Sequence, residues 1–245
     1  MFKNYLKGLR AYSESFSLIS KLNLWKYFLV PMGISLLVAL LIGFSAWGWS
    51  DNLGSYISKI WVWEWGSETF LAISNFIGGL TIVILGLIVY RHVVMALCAP
   101  FMGPVSEKIE SHLTHKEVQV GMNRFIPLLI RGIKVNGRNL FFELFFTIPV
   151  LLLSLIPVIG FLSAPILFLL QAYYAGFGNM DYTLERHFTF KESIQFVRSR
   201  SGIAMGNGTV FLLLLLIPIL GVLLVLPLSV TAATKVTVNT LYPKN

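Results

Sequence analysis

Cysteine is nearly absent. Cys98 is the only one in 245 residues, so an internal disulfide is excluded. It lies in the apolar stretch MALCAPF, which predicts a small buried packing residue. Charge is scarce as well: 12% of residues are Asp, Glu, Lys or Arg, against about 25% in a soluble domain. Aspartate occurs only at Asp51 and Asp181, so the clustered aspartates of a metal-dependent phosphotransferase are missing. The apolar segments hold no Gly-x-Ser-x-Gly and no histidine, which removes the nucleophile and oriented base of an intramembrane serine hydrolase. His112 and His115 would be neighbours on a helix, but zinc takes three or four ligands and no others are spaced to join them. They read as solvated surface residues. No enzyme activity, metal or cofactor is expected.

Long apolar runs are what the chain has instead. It is 56% hydrophobic, with a mean hydropathy of +0.76. Residues 27–50 and 69–90 carry no charge, and each exceeds the roughly 20 residues that a helix needs to cross the hydrocarbon. The class is an all-α integral membrane protein of one domain, residues 1–245. About 26 polar, patterned residues precede the first run and no A-x-A-like site follows it, so that run reads as a retained helix.

The net charge of +8 is distributed by segment. Five Lys and Arg precede Tyr27, one lies between the two runs, seven fall in 91–138 and four in 186–200. Loops rich in Lys and Arg stay cytoplasmic. The N-terminus is therefore expected inside, residues 51–68 outside, and the polar segments after Arg91 inside. The basic balance then reads as topology and contact with anionic lipids, with no nucleic-acid motif beside it.

Residues 2–24 pattern as an amphipathic interfacial helix: Phe2, Tyr5, Leu6, Leu9, Tyr12, Phe16 and Ile19 recur near helical spacing, with Lys3, Lys7 and Arg10 opposite. Trp61, Trp63 and Trp65 suit an aromatic belt in the outer loop. Gly78, Gly79 and Gly86 in the second run allow close helix approach. A helical segment over 99–138 follows. Within it Arg124, Arg131, Lys134 and Arg138 fall on one side of a helix, a basic stripe that either rests on anionic headgroups or forms an anion-attracting vestibule. Glu143 is the one acid in an apolar segment, and the choices are a proton-coupling site or a solvated rim residue.

Two later apolar segments, 139–178 and 208–234, are broken by a repeated pattern. IPVIG at 156–160 and IPILG at 217–221 place Pro157 and Gly160 in register with Pro218 and Gly221. The arms of the second segment, about ten and thirteen residues, are too short for a core of about 30 Å. Both segments are read as re-entrant hairpins, turning at Ile-Pro-x-x-Gly and joined by a polar helical segment over 179–207. Their turns must be covered by protein or water. Helix N-termini beginning after Gly160 and Gly221 would offer donors to an anion, while the C-termini arriving at the same turns would offset them.

In order along the chain stand VP at 30–31, APFMGPVSEKIE at 99–110, IPVIG, MDYTLERHFTFKESIQFVRSR at 180–200, IPILG, and LPLSVTAAT at 226–234. Together, over about residues 23–238, they resemble the CysZ-type sulfate permeases within the superfamily of etoposide-induced membrane proteins. The resemblance implies two long transmembrane helices and two partly penetrating hairpins. It also implies an oligomeric anion conduit in the bacterial inner membrane, bringing sulfate inward for cysteine synthesis. Glu107, Glu110, Asp181, His187, Arg198 and Arg200 match the family pattern. The family's anion-binding stretch resembles Gly-hydrophobic-Arg-Arg, and here it reads Asn23, Leu24, Trp25 and Lys26, leaving Lys26 as the charged contact. A point charge replaces a bidentate fork. That change supports the other reading, a membrane scaffold that shares the fold without transporting.

Overall fold

In the computed structural model, residues 1–58, 86–116, 124–154, 157–217 and 220–243 are described. Among these residues all regular structure is helical. By packing, the chain divides into two units: Met1–Ser35 with His92–Asn245, and Leu36–Arg91.

The second unit holds most of α3 (Leu29–Ser58) and the start of α4 (Gly86–Leu97). The first apolar run is therefore longer than 27–50 in helical form, extending past Asp51. Leu36, Leu37, Leu40, Leu41 and Phe44 are exposed along α3, the surface a helix offers to lipid. A Cβ on Gly86 would stand 2.7 Å from the Ile42 side chain, so a small residue is needed there. The remainder of the 69–90 run, with Gly78 and Gly79, lies outside the described residues, as do Trp61, Trp63 and Trp65.

The larger unit opens with α1 (Phe2–Arg10), a 3₁₀ turn at Ala11–Glu14 and α2 (Ser15–Lys21). The expected amphipathic segment is present, but its inner face meets protein. Gly8 lies where a Cβ would come within 2.8 Å of the Asn207 amide nitrogen on α9. The Tyr5 hydroxyl donates to Thr209 Oγ1 at 3.1 Å, and Tyr12 reaches the Asn207 carbonyl and Ser229 Oγ at 3.0 and 2.7 Å. Tyrosines suit this edge because they bury a ring and still place a hydroxyl on a partner.

After α4 the chain bends by 66° at Cys98 into α5 (Ala99–Thr114). Cys98 is buried, as its sequence setting predicts. Then come α6 (Phe125–Ser154), α7 (Pro157–Leu184), α8 (Phe190–Ser199), α9 (Ser201–Leu215) and α10 (Leu220–Leu241). A capping box fixes the start of α8: Thr189 accepts from the Glu192 amide, and Glu192 reaches back to Thr189.

The broken segments are paired helices with longer arms than the sequence suggests. The first arm begins at Phe125, not residue 139, because Arg131, Lys134 and Arg138 continue one helix into the apolar stretch. Contacts of Arg131 with Asp181 and of Asn139 with Tyr174 set α6 and α7 antiparallel. Asn207 to Ser229 does the same for α9 and α10. With 22 residues, α10 is about 33 Å long, so length alone does not keep it from crossing.

The turn positions also shift. Pro157 is the first residue of α7 and Gly160 falls in its first turn. Proline fits there because the first turn leaves its N–H unused in any case. Pro218 lies outside the described residues. Gly221 sits in the first turn of α10, where a Cβ would be 2.9 Å from the Leu215 carbonyl oxygen. The carbonyl end of α9 therefore faces the start of α10, so the arriving negative end offsets the departing positive one.

Interior small residues set the packing. On α9, Gly202 and Gly206 face α1, while Gly208 lies against the Ala172 backbone of α7 and Ala204 against Gly176. Val135, Phe177, Met180, Leu184, Ile203 and Ala232 fill the centre. The apolar stretch of α10 is mostly enclosed, and that of α3 mostly bare.

Candidate functional site

The polar end of the larger unit gathers residues that are far apart in sequence. Arg131 on α6 turns inward. Its Nε and Nη2 each donate to Asp181 of α7 at 2.9 Å, Nη1 donates to the Phe188 carbonyl at 3.1 Å, and Nη2 also reaches Ser193 Oγ at 2.7 Å. One guanidinium thus ties α6, α7, α8 and the turn between the last two. The bidentate fork is geometry that lysine cannot supply.

Arg186, in the turn after α7, makes a second clamp. Its Nε and Nη2 donate to Glu110 Oε2 at 3.0 and 2.8 Å, Nη2 reaches Ser106 Oγ at 2.8 Å, and Nη1 reaches the Tyr182 carbonyl at 2.7 Å. His187 Nε2 lies 2.6 Å from Glu110 Oε1. Beneath this clamp Ser106, Thr183 and Thr234 form a closed hydroxyl triangle at 2.9–3.1 Å, joining α5, α7 and α10. Arg124 reaches Glu107 Oε1 at 3.2 Å.

Glu185 is the unmatched member. Arg124, Arg131 and Arg186 each have a carboxylate, in Glu107, Asp181 and Glu110. A fourth carboxyl, 4% exposed, has no comparable partner. Its Oε1 lacks a hydrogen bond among the described residues and stands 4.0 Å from Arg186 Nη1. Burial, then the neighbouring Asp181 charge, push the Glu185 carboxyl up to about 8. At neutral pH Glu185 therefore largely keeps its proton beside the three arginine–carboxylate pairs.

The basic stripe expected over 124–138 is accordingly divided. Arg124 and Arg131 are drawn into ion pairs, so Arg131 does not lie on a headgroup-facing surface. Arg138 stays at the edge, its guanidinium 4.9 Å from the Phe142 ring and its Nη1 on Asn139 Oδ1 at 3.0 Å. Arg198 is exposed on α8 nearby. Arg200 stands apart, stacked 4.2 Å over Phe196. Glu143 is not a solvated rim residue: it is fully buried, with Oε2 2.8 Å from His92 Nε2. A carboxylate in an apolar helix is held by such a partner rather than left to lipid.

The Asn23 to Lys26 stretch forms the corner before α3. Asn23 has φ 49°. The Leu24 amide bonds the Ile19 carbonyl at 2.9 Å, and the Asn23 amide bonds Ser20 at 3.2 Å. This pair of bonds is the Schellman ending of a helix, which requires a left-handed residue. Trp25 is 42% exposed, and the Lys26 Nζ lies 5.4 Å from the Tyr27 ring. Lys108 of α5 comes to the same ring at 4.9 Å, placing a second ammonium beside this corner.

The family whose description is sulfate transporter CysZ/etoposide-induced protein 2.4 matches residues 11–226. The chain belongs to that family. A sulfate transporter CysZ from Pseudomonas paraeruginosa is 26% identical over 233 residues, covering 94% of this chain and 93% of its own length. Its counterpart from Pseudomonas aeruginosa is 27% identical over 237 residues, with the same coverage. One from Vibrio parahaemolyticus reaches 30% identity over 141 residues, 56% of this chain. This CysZ-family chain is thus a helical membrane protein of a transporter family. Asparagine suits the corner at Asn23, since it tolerates the left-handed conformation nearly as glycine does.

The sequence reading missed Glu185, Arg186, Lys108 and the hydroxyl triangle. A signal was present for the first: Asp181 and Glu185 are four apart and share a helix face. Nothing local points to Lys108, which meets Tyr27 only through the fold.

Proposed function

We propose that this chain is a permease that passes sulfate across the bacterial inner membrane, inward, to supply cysteine synthesis. The observation that carries the reading is the relatives named sulfate transporter, which align over 94% of the chain. The proposed orientation places the N-terminus and the basic segments in the cytoplasm, and the broken helix pairs are re-entrant within a homo-oligomer. Lys26, assisted by Lys108, is the anion contact at the corner before α3. Glu107, Glu110, Arg124 and Arg131 brace the conduit's inner end, Arg124 on Glu107, Arg186 on Glu110 and Arg131 on Asp181, with Arg138, Arg198 and Arg200 as cations at its rim.

A second reading, a scaffold that does not transport, draws on Trp25. An exposed indole stands where the family stretch would carry an arginine, and indole offers a sulfate one weak donor. Uptake of radiolabelled sulfate into liposomes holding the purified protein, with competing anions, separates the two. Calorimetry adds the site test. Lys26→Ala is expected to weaken sulfate binding about tenfold or more, since a charged hydrogen bond contributes about 1.5–3 kcal/mol. Trp25→Arg with Lys26→Arg is expected to tighten it. No uptake by the wild type, together with no gain from the restored pair, leaves the scaffold reading.

A further inference from the structure

A groove of 630 Å³ opens where α6, α7, α8 and the start of α9 meet. Its lining changes character from one end to the other. On α6, Phe146, Phe142 and Arg138 succeed one another at intervals of four, so they lie along one helix face over about 12 Å. Leu170 and then Tyr173 and Tyr174 follow the same order on antiparallel α7, and Arg198 of α8 completes the polar end. Phe146, at the apolar end, is itself exposed, and so are its α6 neighbours Phe145 and Ile148.

The two arginines differ from those of the polar cluster. Arg124, Arg131 and Arg186 are each committed to a carboxylate. Arg138 and Arg198 face none within ion-pair distance among the described residues, and no acid lines the groove. Arg138 is nonetheless held in place, between the Phe142 and Phe177 rings at 4.9 and 5.5 Å and by its bond to Asn139. Only one of its five N–H donors is used in that bond. A fixed, uncompensated guanidinium with free donors is suited to an oxyanion. Beside it two adjacent tyrosines, Tyr173 and the buried Tyr174, line the groove, a residue type enriched at a headgroup boundary.

We propose that this groove binds one anionic glycerophospholipid, its phosphate on Arg138 and Arg198 and an acyl chain along Phe142, Phe146 and Leu170. The graded lining decides against a free oxyanion as occupant. Sulfate would use only the arginine end and leave the phenylalanine end without a partner, whereas a lipid matches both. The site is separate from the Lys26 corner, and its binding is read without any transport measurement.

The test is native mass spectrometry of the full chain in detergent. It is titrated with a phosphatidylglycerol and with a phosphatidylcholine of the same acyl chains. The wild type is expected to retain one phosphatidylglycerol per chain in preference to phosphatidylcholine. Each arginine near an anionic headgroup contributes about fivefold, so Arg138→Gln with Arg198→Gln should lower phosphatidylglycerol affinity by about 25-fold. Arg198→Gln alone, at an exposed position that leaves the fold intact, should lower it about fivefold, and Lys3→Gln on α1 should leave it unchanged. Millimolar sulfate or glycerophosphate should not displace the lipid. Equal retention of the two lipids by the wild type overturns the proposal, as does an unchanged preference in the Arg198 variant. Displacement by sulfate alone would instead make the groove a free oxyanion site.

Discussion

Replacing Glu185 with glutamine tests the electrostatics of the polar cluster most directly. The side chain is 4% exposed, so solvent does little to screen it. In the unfolded chain its carboxyl ionises near the ordinary value of 4.5, and in the folded chain near 8. Between those limits the folded state keeps a proton that the unfolded state has lost. The stability of the wild type therefore falls as pH rises from about 4.5 to 8 and levels off above that. Each unit is worth about 1.36 kcal/mol, so the full window approaches about 5 kcal/mol. For a chain of this size that is a shift in unfolding midpoint on the order of 10 °C. Glutamine keeps the volume and the neutral charge at every pH. Scanning fluorimetry of both proteins in detergent from pH 5 to 9 reads the difference. Near pH 5 the midpoints should nearly coincide. Near pH 8.5 the variant should be the more stable, with the gap opening steadily between. Parallel profiles across the range would refute the reasoning, because they would mean that Glu185 ionises alike in both states.

Arg131→Gln leaves Asp181 buried without its fork and should cost about 3–5 kcal/mol, while Asp181→Asn in the same molecule should recover part of that loss in a double-mutant cycle read by thermal melts. Asn23→Gly should be tolerated, and Asn23→Val should cost about 1–2 kcal/mol from the left-handed backbone alone; equal melting of the two variants would remove the corner argument. Gly8→Leu should push α1 away from α9, costing about 1–3 kcal/mol and speeding proteolysis within the first twenty residues, whereas Phe16→Leu on the exposed side should do neither. For the proposed re-entrant pairs, a cysteine at Val158 in a Cys98→Ala background should resist an impermeant maleimide from outside, and labelling as fast as at Ser55 would mean that α6 and α7 both cross.

What the sequence determined by itself was the class and the order of segments. Two uncharged runs, the scarcity of charge and the clustering of Lys and Arg suffice for a helical membrane protein, because hydrocarbon leaves the backbone few other ways to pair its own polar groups. The proline and glycine breaks were legible for the same reason: they interrupt helices wherever they fall, although which residue starts the next helix depended on how the first turn packs. The tertiary structure decided which faces meet. In a soluble helix the apolar stripe marks the buried side, but on α6 and α10 lipid-facing and protein-facing residues are equally apolar, so periodicity could not say that α10 is enclosed and α3 bare. Nor could it pair Arg131 with Asp181, Arg186 with Glu110 or His92 with Glu143. Those partners lie 50, 76 and 51 positions apart, and an ion pair at that separation exists only once the helices carrying it have been brought together.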